Sequence, residues 1–177
     1  IDVMTPTSWF LSSVPSMFPE NKDKTGLTSG FNRSQMAWYT IDPLFNRKGS
    51  TLTPGHIKSD LNQLSNHYVR AIYMRELFPL RQQQTYSTET STVNAMNIAF
   101  YPNERGPYNF NVADLQADGT LANPQKHWGG MMRKLDTNDF EQANVEYIEF
   151  WMLDPFIYSN QQPDARLYGG DFYINLG

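Results

Sequence analysis

The sequence predicts a mainly β fold with one long helix, the strands forming an antiparallel sandwich, and three observations carry that expectation. Aromatic residues make up 14% of the chain, with ten Tyr and eleven Phe, and such side chains suit the pleated, half-buried surface of a strand. Val145–Leu153 (VEYIEFWML) is largely apolar on both alternating faces, Tyr147, Trp151 and Leu153 on one and Ile148, Phe150 and Met152 on the other. A strand of that kind sits centrally and is covered on each side, so Phe150 and Trp151 are both expected in the core. Finally, Ile57, Leu61, Leu64, Tyr68 and Ile72 recur at three- and four-residue steps, the mark of one helical stripe.

Composition bounds the rest. A chain of 177 residues suits one compact domain or two small ones, and 40% hydrophobic content with mean hydropathy −0.57 is enough for a core. No apolar run is long enough for a spanning helix, and no leader is visible at Ile1. Asp171–Gly177 reads as a strand that stops abruptly, so the chain is expected to be a soluble piece of something longer. Net charge is −4, with Lys and Arg scattered rather than striped, which argues against nucleic acid and against a polybasic membrane patch. Cysteine is absent, removing disulfides, thiolate metal sites and a Cys nucleophile together.

In chain order, Ile1–Leu11 reads as one or two short strands, broken by Pro15 and Pro19, and Glu20–Gly30 as a polar loop. Gln35–Ile41 is a short strand ended by Asp42-Pro43. The helix is expected over about Pro54–Phe78, with Thr53 as N-cap, Pro54 at the first helical position and Pro79 as its stop. Gln82–Thr92 is a polar linker. Val93–Tyr101 is a strand bounded by a turn at Pro102–Pro107; Tyr108–Val112, Gly129–Leu135 and Val145–Leu153 follow as further strands. The division is thus 1–92, with short strands and the helix, and 93–177, the β-sandwich module.

Several strings are specific: Trp38-Tyr-Thr-Ile-Asp-Pro-Leu-Phe45, Leu64-Ser-Asn-His-Tyr-Val-Arg70, Phe100-Tyr-Pro-Asn-Glu-Arg-Gly-Pro-Tyr-Asn-Phe-Asn111, His127-Trp-Gly-Gly-Met-Met-Arg133, Asn144–Pro155 and Gly169–Gly177. In this order they resemble the SprA/Sov family over nearly the whole chain. That resemblance implies a very large outer-membrane barrel protein of Bacteroidetes, the conduit of the type IX secretion system, linked to protein export and gliding motility. It implies as partners the rest of the translocon barrel, associated secretion-system proteins and secreted cargo, and an outer-membrane-associated location facing periplasm or cell surface. It supplies no catalytic motif. Glu146-Tyr-Ile-Glu-Phe-Trp151 with Gly169-Gly-Asp-Phe-Tyr-Ile174 also looks like jelly-roll sandwiches related to carbohydrate-binding modules, which sets the expected sandwich type and an alternative function, a carbohydrate-binding module of a cell-surface protein.

Candidate chemistry is sparse. Asp136, Asp139, Glu141, Glu146 and Glu149 lie close in sequence, but a glycosidase pair comes from separate strands about 5–10 Å apart, and no motif marks one. Leu135-Asp-Thr-Asn-Asp139 packs oxygen donors into a turn, making Asp136 and Asp139 the weak Ca²⁺ candidates against a self-capped Asp turn. His56, His67 and His127 are too separated to share one zinc. No Gly-x-Ser-x-Gly elbow exists, and Gly129-Gly130 and Gly169-Gly170 read as bulges or turns. Of Trp9, Trp38, Trp128 and Trp151, Trp128 is the most loop-like and the one carbohydrate-contact candidate, whereas Trp38 and Trp151 suit core packing. Gly106 in Asn103-Glu-Arg-Gly106 is expected at positive φ in a structural turn. The expectation is a non-enzymatic structural and interaction module, without cofactor and without a membrane span.

Overall fold

A computed structural model describes residues 5–22, 26–42, 49–66, 68–80, 92–135, 139–142, 144–154 and 170–176. Among these, the strands are β1 (Phe10–Leu11), β2 (Ser34–Tyr39), β3 (Ile72–Tyr73), β4 (Thr92–Val93), β5 (Asn97–Arg105) and β6 (Met131–Met132). The α-helices are α1 (Gly55–Ser59), α2 (Leu61–Leu64) and α3 (Met74–Leu77), with 3₁₀ turns at Pro6–Ser8, Pro19–Lys22, Leu27–Gly30 and Pro124–Lys126. The strands pair as β1–β6, β2–β5 and β3–β4, each sheet two-stranded. The chain divides into two compact units, one of residues 1–10 and 36–100, the other of residues 11–35 and 101–177.

The first unit overturns the long helix. Instead of one element over Pro54–Phe78, three short helices form, because polar side chains take the backbone groups a continuous helix needs. Asp60 leaves helical geometry (φ −105°, ψ 101°) and its carboxylate accepts from the N–H groups of Asn62 and Gln63, restarting the chain as α2. The Ser65 hydroxyl donates to the Leu61 carbonyl at 2.7 Å and Asn66 Oδ1 accepts from Tyr68 N–H, which ends it. Ile72 and Tyr73 then pair antiparallel with Val93 and Thr92, as suits a β-branched and an aromatic residue. The expected stripe does not reach a core: Leu61 is 65% exposed and Tyr68 48%. Pro54, rather than Thr53, is the N-cap, and Thr53 is buried. Glu76 in α3 accepts from Tyr73 N–H and forms a bidentate pair with Arg70. Trp38 is half-buried and donates its indole N–H to the Pro6 carbonyl at 3.1 Å.

The second unit does not show the jelly-roll sandwich. β2 matches the strand expected over Gln35–Ile41 to within two residues. The strand expected at Val93–Tyr101 is displaced: β5 runs on through Pro102 to Arg105, past the proposed turn. Proline is tolerated there because each sheet has only two strands and every strand is an edge. Tyr108–Val112 is turn and irregular backbone, with Tyr108 at φ 63°. Gly129–Leu135 contributes only β6, and neither Val145–Leu153 nor residues 171–176 is assigned to a strand. Every residue of 144–154 and 170–176 is exposed. Trp151 (68%) and Phe150 (55%) are therefore outside, not central, although Phe150 meets Phe172 at 5.8 Å. The sandwich expectation assumed that apolar faces must be covered within the chain, and here they are not.

What the second unit does bury is a small, polar-rich knot. Among the described residues the buried apolar side chains are Leu121 and Trp128, accompanied by Arg33, Ser34, Asn109 and His127. Leu115 and Leu121 bridge antiparallel across a turn closed by Gly119 at φ 89°. Asp118 accepts from the Thr120 N–H and hydroxyl in the same turn.

Candidate functional site

The knot is built around the short run Asn32–Ser34. Its backbone lies beside Trp128 in a parallel bridge, with Trp128 N–H donating to the Asn32 carbonyl (3.0 Å) and Ser34 N–H to the Trp128 carbonyl (2.9 Å). From the other side the Arg33 carbonyl accepts from Gly106 N–H (3.1 Å) and from the Asn109 side-chain amide (2.8 Å). The Asn109 carbonyl oxygen in turn accepts from Asn111 N–H, so a buried amide is satisfied at both ends, as burial demands.

Gly106 is present for a different reason from the one expected. Its φ is not in the left-handed region, where Gly119 is the glycine found. A Cβ at Gly106 would meet the Ser34 carbonyl oxygen, with the Ser34 carbonyl carbon at 2.5 Å and the Arg33 carbonyl oxygen at 3.0 Å. The site needs glycine because two backbones touch.

His127 ties the knot. Its Nδ1 lies 2.8 Å from the Pro102 carbonyl and its Nε2 2.7 Å from Asp114 Oδ2, with the imidazole side chain wholly buried. A carbonyl can only accept, so Nδ1 carries a proton. Burial pushes the Asp114 carboxyl up. The hydrogen bonds from Asn123 and His127, with the charges of His127 and Lys126, outweigh burial and hold it below the ordinary carboxylate range. Both ring nitrogens are thereby engaged, Nδ1 by a carbonyl and Nε2 by the Asp114 carboxyl group. The Ser34 hydroxyl also donates to the Pro102 carbonyl, at 2.9 Å.

This His–Asp pair with a serine nearby is not a hydrolytic set. A general base must offer a free lone pair to its nucleophile, whereas both His127 nitrogens are engaged. The Ser34 hydroxyl points to a carbonyl, and Ser34 is 1% exposed. The arrangement holds the segments around residues 34, 102, 114 and 127 together.

Arg33 is the group whose chemistry is unspent. It is 4% exposed, and its guanidinium lies 4.3 Å from the centroid of the Trp128 ring. Nε and Nη1 have no hydrogen-bond partner among the described residues, and neither does the Trp128 indole N–H. Burial lowers the Arg33 pKa, opposed by the charge of Tyr108. A desolvated cation–π contact contributes about 2 kcal/mol, whereas removing a charge from water costs several kcal/mol. The stack offsets part of that cost.

The sequence-based candidates fall elsewhere. Trp128 is 8% exposed, with Arg33 over its ring and Phe18 edge-on at 5.4 Å, rather than presenting an open face to a sugar. Asp139 accepts from Gln142 N–H at 2.8 Å, a local turn; Asp136 lies outside the described residues, as do His67 and Gly169. No group of three or more potential metal ligands occurs among the described residues. Glu146 and Glu149 lie in the exposed stretch 144–154, and His56 is exposed on α1. Sequence reasoning missed Arg33, Asp114 and Asn109 altogether. Their partners lie 95, 13 and 76 positions away (Trp128 − Arg33 = 95), and no local motif links them.

Among the described residues no helix is long and apolar enough to cross a membrane. Comparison with protein-family models and with curated proteins finds no match.

Proposed function

We propose that this chain is a structural and interaction module of a type IX outer-membrane translocon, serving protein export and gliding motility through contacts with the barrel and its associated proteins. The reading rests on the ordered resemblance of Trp38–Phe45, Phe100–Asn111, His127–Arg133 and Asn144–Pro155 to the SprA/Sov family. One structural observation supports an interaction role independently of that resemblance. Val145, Tyr147, Ile148, Phe150, Trp151, Met152 and Leu153 are 42–77% exposed, and Phe172, Tyr173, Ile174 and Leu176 are 49–60% exposed. Exposed apolar side chains grouped this closely in sequence suit contact with another element or chain. The polar knot, by contrast, spends its hydrogen bonds on holding its own segments.

The test is to delete the segment from the protein that carries it and compare type IX cargo in medium and periplasm, with outer-membrane barrel abundance held equal. Cargo trapped in the periplasm is the expected result. Normal export at normal barrel levels refutes the proposal.

A further inference from the structure

Two exposed stretches of the second unit, residues 144–154 and 170–176, adjoin where the Phe150 and Phe172 rings lie 5.8 Å apart. The fold leaves two things there unused. One is backbone: Glu146–Phe150 make no main-chain hydrogen bond to any described residue. The other is apolar area. Tyr147, Phe150, Trp151, Phe172 and Tyr173 are each half to three-quarters exposed. At about 150–250 Å² per aromatic side chain they leave roughly 600 Å² in water. With their aliphatic neighbours they reach the roughly 800 Å² that one partner brings to a stable interface.

We propose that a second copy of this chain covers this face, the two Val145–Leu153 segments pairing antiparallel across a two-fold axis at Ile148. A second copy brings what the face lacks: a run of unpaired N–H and C=O groups of the same length, and an equal apolar area. A two-fold contact makes the two patches meet. A lipid surface would cover the side chains but leave the backbone groups unpaired. Charge sets the register, since like charges directly opposite each other destabilise a strand pair. An axis at Glu149 opposes the two Glu149 side chains, and one at Phe150 sets Glu146 against Asp154 of the other copy. With the axis at Ile148, Glu146 faces Phe150, Glu149 faces Tyr147 and Val145 faces Trp151, so no carboxylates meet. Ordering both segments costs free energy, which makes the dimer weak, with a Kd of about 10–100 µM. At low micromolar concentration the chain is then monomeric. This proposal does not depend on the translocon reading, and the export experiment leaves it untouched.

Sedimentation velocity of the full chain, from about 2 to about 500 µM, brackets that Kd and should show monomer passing to a closed dimer. The chain has no cysteine, so a single introduced one reports position. Ile148→Cys, treated with oxidised glutathione, should link two copies, because residues opposite each other on the axis have Cα atoms about 4.5–5.5 Å apart, within disulfide reach. Met152→Cys, on the same exposed segment, should stay unlinked. Its two copies would lie eight residues apart along the pair, about 27 Å at about 3.4 Å each. Ile148→Pro removes an N–H that no bond of the fold uses, and should weaken the dimer about tenfold while the near-ultraviolet circular dichroism stays that of the parent. A chain that remains monomeric throughout, or associates without limit, overturns the proposal. So does linking at Met152 as readily as at Ile148, or an Ile148→Pro chain that dimerises like the parent.

Discussion

Gly106→Ala is the most demanding test of the backbone contact at the centre of the knot. An added Cβ would lie 2.5 Å from the Ser34 carbonyl carbon, where non-bonded carbons prefer about 3.5–4.0 Å. One backbone must therefore retreat by roughly 1 Å, and neither is free to do so. Ser34 is held by its N–H on the Trp128 carbonyl and its hydroxyl on the Pro102 carbonyl; Arg33 is held by Gly106 N–H and the Asn109 amide. A shift of that size breaks about two of these four bonds, at about 1 kcal/mol each, and adds overpacking of about 1–3 kcal/mol. The expected loss is about 3–5 kcal/mol, which for a chain of this length lowers Tm by roughly 6–20 °C. Thermal unfolding followed by near-ultraviolet circular dichroism measures it, since Trp128 sits in the knot. Gly119→Ala is the control: its φ of 89° carries strain, but its Cβ direction is open, so the cost is about 1 kcal/mol. A Gly106→Ala protein melting within a degree or two of the parent would refute the argument that backbone contact, rather than φ, requires glycine there.

Three further outcomes follow from particular contacts. Asp114 has a depressed folded-state pKa, so its contribution is fully present above the unfolded carboxylate value of about 3.9 and is lost as pH falls through the lower folded value; a Tm-versus-pH series should show Asp114→Asn less stable at neutral pH but flatter than the parent below about pH 4. Trp151→Ala, at a side chain 68% exposed, should change the stability of the isolated chain by no more than about 0.5 kcal/mol in denaturant titration, while reducing export when placed in the protein that carries the segment. Asp60→Ala removes the acceptor for two N–H groups at the start of α2 and should cost about 1 kcal/mol, read by amide exchange at Asn62 and Gln63.

The sequence by itself determined what depends on neighbours in the chain. β2 lies close to the expected strand, since its run Gln35-Met-Ala-Trp-Tyr39 carries two adjacent aromatic residues suited to a strand. It also determined the absence of cysteine chemistry, because that follows from composition. The breaks in the helix are legible in the sequence: Asp60, Ser65 and Asn66 are residues whose side chains take backbone hydrogen bonds for themselves. The exposure of Val145–Leu153 was not legible. An apolar strand signals that something covers it, and only the tertiary structure shows that this unit does not. The knot was equally hidden. Arg33 meets Trp128, Asn109 meets Arg33, and His127 meets Asp114 across long loops, and each pairing is settled by where the folded backbone brings its groups, not by any spacing along the chain. Gly106 combines both lessons: a glycine between prolines is visible in sequence, but the reason for it, a second backbone lying against its α-carbon, exists only once the chain has folded.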